Sequence, residues 1–196
     1  MIRYSIAAKE DLPRIVEIYN QSILTKQSTA DVTPVTIEDK LAWFEAHDPK
    51  KRPLWIMQEA GEIIGWISLS DFYGRPAYDQ TVEISIYIDE TYQHRGIGQY
   101  AMDFVEKQLP GLGIETVLAF IFDSNQASQR LFEKNGYCLW GLLPEVAQID
   151  ERLLGLAIWG NRIANQISCS FMNFSETTAY FSYYYTNEKI CVTLFL

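Results

Sequence analysis

Residues 81–88, TVEISIYI, alternate polar and apolar side chains without a break, and the glycine pair of QHRGIG follows at Gly96 and Gly98. A period of two places Val82, Ile84, Ile86 and Ile88 on one face and Thr81, Glu83, Ser85 and Tyr87 on the other. That pattern predicts a strand with one face on a core and the other polar. The segment after the glycines, GQYAMDFVEKQL, reads as a helix. A strand, a polar loop and a glycine-opened helix together suit an anion, because successive backbone N–H groups converge where the helix dipole already favours negative charge. Gly96 and Gly98 let the backbone approach such a ligand with no Cβ in the way.

The same letters satisfy a dinucleotide fingerprint, since Gly96, Gly98 and Ala101 fit G-x-G-x-x-[GA]. In that fold the first glycine follows the strand directly. Here the six residues ETYQHR intervene, and only Asp123, at the end of the next strand, speaks for a ribose partner. A glycine-rich surface turn without a ligand is the third reading.

The remaining elements read as mixed α and β. IRYSIA alternates like a first strand. KEDLPRIVEIYNQSI is a helix with Asp11 as cap and Pro13 in its first turn, and VTIEDKLAWFEAH is a second helix capped by Thr36. PLWIMQEAGEIIGWISLS contains two strands about a hairpin in which Gly61 supplies positive φ. DFYGRPAYDQ is a Gly/Pro loop. TVLAFIF is a buried strand, NQASQRLFEKN a helix stopped by Gly136, and YCLWGLL and LLGLAIWGN are late strands.

Bulk properties limit the partners. With 196 residues, 48% hydrophobic and 21% charged, the chain has the size of one ordinary domain with a substantial core. The division expected is a domain over residues 1–165 and an aromatic-rich C-terminal extension over 166–196. That extension is read as an amphipathic hairpin covering a sheet edge or a partner, or as an appended segment of no chemical role. A net charge of −9, with no local run of Lys and Arg, argues against nucleic acid and anionic membranes as partners. Charges among the first ten residues and the lack of any long apolar run lead to the expectation of a cytoplasmic protein. The three cysteines lie far apart without zinc-ligand spacing, so no metal is expected and reduced thiols are the default.

QHRGIG resembles the Q/R-x-x-G-x-G/A pyrophosphate loop of the GCN5-related N-acetyltransferases (GNAT). TVEISIYID is similar to that superfamily's splayed central strand, and NQASQRLFEKNGYCLWG to its later N-x-x-S…G-F/Y segment. IYNQSI, STA, TP, WF, GWISLSDFYGRPAY and TVE resemble the branch that acetylates phosphinothricin and methionine sulfoximine, the likeness running from about Ile2 to Ile163. The resemblance implies an α+β fold, the GNAT acyl-CoA N-acyltransferase fold, with a central mixed, mostly antiparallel sheet flanked by helices. It also implies acetyl-CoA as cofactor, a small-molecule amine as substrate and a homodimer.

Acetyl transfer to an amine needs the free base, and an amine of pKa near 10 is unprotonated only about once in a thousand molecules at pH 7. Glu83, the acid inside the strand, shares a face with Ser85 and Tyr87 and is the candidate general base. The family implies a base there, while polar alternation alone would also produce a solvated strand glutamate. Backbone groups of Ile86, Tyr87 and Ile88 are implied to pair with the pantetheine arm and to stabilise the oxyanion. The diphosphate is implied to rest on Gln93, His94, Arg95, Gly96, Ile97, Gly98 and Gln99, with Arg95 free to add a charge-assisted bond. His94 is equally well a solvated loop residue.

Asn125 and Ser128 match the N-x-x-S positions, at the coenzyme arm or the substrate end, and Asn125 is also a good helix cap. Lys134 is implied to approach the coenzyme, or is simply an exposed helix lysine. Phe132 departs from the family's usual tyrosine, so Tyr137 or water would have to protonate the leaving thiolate, unless it leaves unassisted. Tyr73, Arg75 and Tyr78, with QSTADVTP, are the candidates for an acceptor pocket that holds a small zwitterion. Two functions of different class stand: an acetyl-CoA-dependent N-acetyltransferase, and a catalytically inactive acetyl-CoA-binding sensor or assembly module.

Overall fold

A computed structural model of the chain describes residues 1–163. The extension over 166–196 therefore lies outside the described residues. In chain order the elements are β1 (Arg3–Ile6), α1 (Leu12–Thr25), α2 (Ile37–Glu45), β2 (Leu54–Glu59), β3 (Glu62–Asp71), β4 (Thr81–Ile88), α3 (Ile97–Gln108), β5 (Thr116–Phe122), α4 (Gln126–Lys134), β6 (Cys138–Ile149) and β7 (Arg152–Arg162). The seven strands form one sheet in the order β1-β2-β3-β4-β5-β7-β6. Every neighbouring pair is antiparallel except β4 and β5, which run parallel. The architecture is α+β, as expected.

Local chemistry explains most of the boundaries. The β2–β3 hairpin turns through Ala60 (φ 53°) and Gly61 (φ 92°), the two positive φ angles that a tight two-residue turn needs, and Glu59 opposes Glu62. At α2, Thr36 Oγ1 accepts from the Asp39 N–H (3.2 Å) while Asp39 Oδ2 accepts from the Thr36 N–H (2.8 Å). Asp11 behaves differently from its expected capping role: its carboxylate accepts from the Ala8 N–H at 2.8 Å and fixes the turn before α1. The sixth strand is longer than YCLWGLL. It tolerates Pro144 because it lies at the sheet edge and is bulged between Leu143 and Ala147. Cys138, buried in that strand, is disulfide-bonded, so the expectation of three reduced thiols fails there; Cys169 and Cys191 lie outside the described residues.

The sheet is covered on both faces. Val82 and Ile84 of β4 pack with Ile97, Ala101, Met102 and Val105 of α3 and with Phe132 of α4. On the opposite face Ile15, Ile18, Tyr19 and Ile23 of α1 pack against Leu54, Ile56 and Trp66. A one-residue slip of β4 would turn Glu83 and Ser85 into the α3 core and expose Val82 and Ile84. Each such isoleucine or valine is worth about 1.5–3 kcal/mol when buried, so the register is firmly set.

Candidate active site

The parallel pair at the sheet centre is short. β4 and β5 are in register only from Thr81 to Glu83 against Thr116 to Leu118. Beyond Glu83, β4 stays with β3 as far as Ile88, while β5 stays with β7 as far as Phe122. The strands therefore part on the C-terminal side of Glu83.

Ladder alternation tells which main-chain groups face the split. The Asp89 N–H donates to Ile64 O on β3 (2.9 Å), and Gln80 O accepts from Glu115 and Thr116 beside β5 (2.9 and 3.0 Å). Tyr87, Ser85 and Glu83 thus direct their backbone groups to β3, whereas Ile84, Ile86 and Ile88 direct theirs towards β5. The Ile88 carbonyl accepts a 3.3 Å bond from Gln93 Nε2. Of the three residues proposed from sequence, Ile86 and Ile88 present main-chain groups to the split; the Tyr87 backbone is turned to Trp66 of β3.

The loop that follows is anchored by a residue the sequence did not single out. Asp89 is 2% exposed and accepts from Arg14 Nη2 (2.7 Å), Gln21 Nε2 (2.9 Å), the Thr91 N–H (2.9 Å) and Thr91 Oγ1 (2.5 Å). Burial alone would raise its pKa, but the bonds from Thr91, Gln21 and Arg14 outweigh it and bring the carboxyl down to about 2. Past this anchor, His94 (φ 59°) and Gly96 (φ 77°) both take left-handed conformations. The N–H groups of Gln93 and Gln99 are occupied, by Glu90 O and Gly96 O. Between them, the five N–H groups from His94 to Gly98 donate to nothing among the described residues. A run of unpaired donors at the start of α3 is a nest for an anion.

The side chains of this loop point to other duties. Arg95 pairs with Glu59 (2.8 Å) and lies over the Tyr92 ring at 5.0 Å, so it is not the free cation expected from sequence. Gln99 Nε2 donates to Asp103 Oδ1 (2.7 Å) and Asn135 Oδ1 (2.6 Å), and His94 is exposed. The two glycines differ in purpose. A Cβ on Gly96 would meet nothing within 4 Å, so its φ is the requirement; a Cβ on Gly98 would lie 2.9 Å from Leu131 Cδ2, so close approach of α3 to α4 is the requirement there.

On the α1–α2 side of the sheet, next to the split, lies a cleft of about 230 Å³. Glu83, Ser85 and Tyr87 of β4 and Ser68 and Ser70 of β3 form its floor; Tyr19, Lys40 and Trp43 contribute from the helices. The sequence brought out the first three as one face, but not Ser68, Ser70, Tyr19 or Lys40, whose convergence depends on long-range pairing. Glu83 is half-buried and accepts no hydrogen bond among the described residues, and burial pushes its carboxyl above the ordinary carboxylate range. Burial also holds the Tyr87 phenol well above its usual range, and its hydroxyl donates to Ser28 O at 3.2 Å.

Asn125 performs two tasks. Its Oδ1 accepts from the Ser128 N–H (3.1 Å), capping α4, and its Nδ2 donates to Gln27 O (3.2 Å) and Ser28 Oγ (3.4 Å). Residues 27–29 are thereby strapped from Tyr87 on one side of the split to Asn125 on the other. Ser128 sits partly buried in the first turn of α4, and Lys134 is exposed in its last turn with no hydrogen bond or ion pair among the described residues.

Tyr73, Arg75 and Tyr78 do not line the cleft. They are exposed, the two tyrosines packing with Phe72, whose ring stacks on Phe120 of β5 at 6.4 Å. Phe132 is buried in the core as a phenylalanine should be. Tyr137, 1% exposed and edge-on to it at 4.9 Å, is sealed there too, with burial holding its phenol well above the usual range.

The sequence and the fold have counterparts among known proteins. The sequence pattern that defines the acetyltransferase (GNAT) family matches residues 14–137. The chain belongs to the GNAT acetyltransferase family. A Bacillus subtilis protein provisionally named phosphinothricin acetyltransferase YwnH is 43% identical over 160 residues, which is 81% of this chain and 98% of that one. The L-methionine sulfoximine/L-methionine sulfone acetyltransferase of Pseudomonas paraeruginosa is 29% identical, with 76% of this chain and 88% of that one covered. A GNAT phosphinothricin acetyltransferase from Sinorhizobium meliloti, solved with acetyl-CoA, superposes with a TM-score of 0.77 at 26% identity, over 82% of this chain and 88% of that one.

As a GNAT protein the chain is an N-acetyltransferase, and acetyl-CoA is its cofactor. The geometry fits that group: five unpaired N–H donors suit a diphosphate, and the unpaired edge of β4 at Ile86 suits an extended amide-bearing arm.

Proposed function

We propose that this GNAT enzyme acetylates the primary amine of a small amino-acid-like acceptor of the phosphinothricin or methionine sulfone and sulfoximine type, with Glu83 as general base. The observation that carries the reading is the place of Glu83. It is a half-buried carboxylate with no partner among the described residues, on the floor of the cleft, on the strand whose other edge opens into the split. The relatives described above are named for acceptors of this kind, the Bacillus subtilis one provisionally. A cleft of about 230 Å³ is smaller than the ~300–1,000 Å³ of drug-sized sites and suits such molecules.

Bound acetyl-CoA supplies an activated acetyl group. The chain does the rest. The N–H groups from His94 to Gly98 hold the diphosphate, while Ile86 and Ile88 face the arm. Glu83 takes the ammonium proton of the acceptor before attack, which burial makes easier by raising its carboxyl above the ordinary range, and the second proton, lost from nitrogen after attack, passes through water to the departing thiolate. No side-chain acid for the leaving thiolate stands beside the cleft at Phe132 or Tyr137, so protonation by water fits best.

On this reading Asn125 and Ser128 serve at the strap over the split and Lys134 at the outer end of α4, while Tyr73, Arg75 and Tyr78 stay outside the cleft. The reading also keeps a cytoplasmic homodimer. Exposed Leu142, Leu143, Val146 and Leu153 on the edge hairpin supply apolar surface for a partner, and no helix among the described residues is long and apolar enough to cross a membrane. The inactive binding module is not favoured, because such a module has no use for a burial-shifted acid in the cleft.

An acceptor screen tests this function. Purified protein, acetyl-CoA and a panel of amino acids, their sulfones, sulfoximines and phosphinates are followed by thiol release. Turnover with a subset of amino-acid-like amines is expected; thiol release at one background rate with every amine would favour the binding module.

A further inference from the structure

Two groups lining the cleft carry a formal charge, and they have opposite signs: Glu83 on the sheet and Lys40 on α2. Lys40 is three-quarters buried, its Nζ 4.1 Å from the centre of the Tyr19 ring and 5.8 Å from that of Trp43. Tyr19 is itself locked, its hydroxyl bonded to Thr29 Oγ1 (2.6 Å) and donating to Asp31 Oδ2 (2.5 Å). The counter-charge for Lys40 is that same Asp31 oxygen, but at 3.7 Å, beyond hydrogen-bond reach and already taken by the phenol. Lys40 therefore has aromatic faces behind it, a loose ion pair beside it, and no hydrogen-bond acceptor for its three N–H donors among the described residues. An ammonium that lines the cleft without a hydrogen-bond acceptor of its own is open to a ligand oxyanion. Being a point charge rather than a planar fork, it can meet a carboxylate from several directions.

We propose that Lys40 binds the carboxylate of the acceptor, so that the cleft selects zwitterions: Glu83 faces the amine and Lys40 the acid group. This rests on the cleft being the acceptor site. It moves the role that sequence reasoning gave to Arg75, exposed outside the cleft, to a residue within it. The Tyr19 and Trp43 rings and the loose pair with Asp31 hold the ammonium at the cleft wall.

The test compares L-methionine sulfone with its carboxamide, which keeps the amine and side chain but removes the negative charge. In the wild type the acid should have the lower KM. In Lys40→Met, which keeps the apolar stem, the KM of the acid should rise at least about tenfold, while those of the carboxamide and of acetyl-CoA stay within about twofold; Lys40→Arg should recover most of the loss. Calorimetry of the acid against protein saturated with coenzyme A should give the same weakening of Kd, independently of turnover. Equal effects on acid and carboxamide, no effect on either, or a wild type indifferent to the carboxylate would each overturn the role of Lys40. A wild type that binds the acid through Lys40 but acetylates nothing would instead defeat the reading of the cleft as a catalytic site and leave the carboxylate contact standing.

Discussion

Glu83→Gln is expected to lower turnover about 10²-fold or more at pH 7 and to leave the Kd of acetyl-CoA unchanged. The amide keeps the shape of the side chain but cannot accept the proton that an acceptor ammonium must lose. The pH profile separates this from a structural effect. Burial raises the Glu83 carboxyl above its ordinary 4.5, so wild-type kcat/KM should fall as pH drops through that raised value, because the protonated acid no longer serves as a base. The variant lacks this limb; its residual rate should climb with pH as more free amine exists in solution, and the gap between the two should narrow towards pH 10. Turnover within twofold of the wild type across the range would remove Glu83 as the base.

Asp89→Ala is expected to produce the largest loss of stability, about 3 kcal/mol, since it leaves Arg14, Gln21 and Thr91 facing a void where a buried carboxylate held them. The loss sits at the low end for a broken buried pair because Arg14 is 29% exposed and keeps Glu17 at 2.9 Å. The pH dependence follows from the depressed pKa. A carboxyl titrating at about 2 in the fold and near 3.8 when unfolded contributes about 2 kcal/mol, fully present above pH 4. That contribution declines as pH falls below 3.8 and is gone below 2. Urea midpoints of wild type and variant should therefore differ widely at pH 7 and draw together as pH falls through 3.8 towards 2, leaving only the smaller part of the loss that does not titrate; a gap independent of pH would mean that the charge of Asp89 is not what anchors the loop. Acetyl-CoA should also bind the variant more weakly at pH 7, because Asp89 is where the donor loop leaves the sheet.

What the sequence made legible was local. The alternation of TVEISIYI placed Glu83, Ser85 and Tyr87 on one face and Val82 and Ile84 in the core, because period-two patterning and burial agree there. The hairpin at Gly61 and the cap at Thr36 were readable because turn and cap chemistry acts within four residues. The ion pair of Arg95 was not legible because its partner, Glu59, lies 36 positions away on a strand whose approach to this loop no local pattern encodes. Lys40 and Asp89 escaped for the same reason: each gains its meaning from α1, and a lone lysine on an amphipathic helix or an aspartate at a strand end looks merely solvated. Tyr73, Arg75 and Tyr78 drew notice as a cation among aromatics, yet their loop closes on Phe72 and Phe120 rather than on the cleft.

On the reading proposed above, an uncovered run of main-chain donors and an unpaired strand edge hold acetyl-CoA with its reacting end beside Glu83. A crystal structure with acetyl-CoA bound would show it. The expected result places diphosphate oxygens within hydrogen-bond distance of the N–H groups between His94 and Gly98, and the pantetheine arm between β4 and β5 against Ile86. Electron density for the coenzyme elsewhere on the protein, or a diphosphate held by side chains with that run of amides left unbonded, would contradict it.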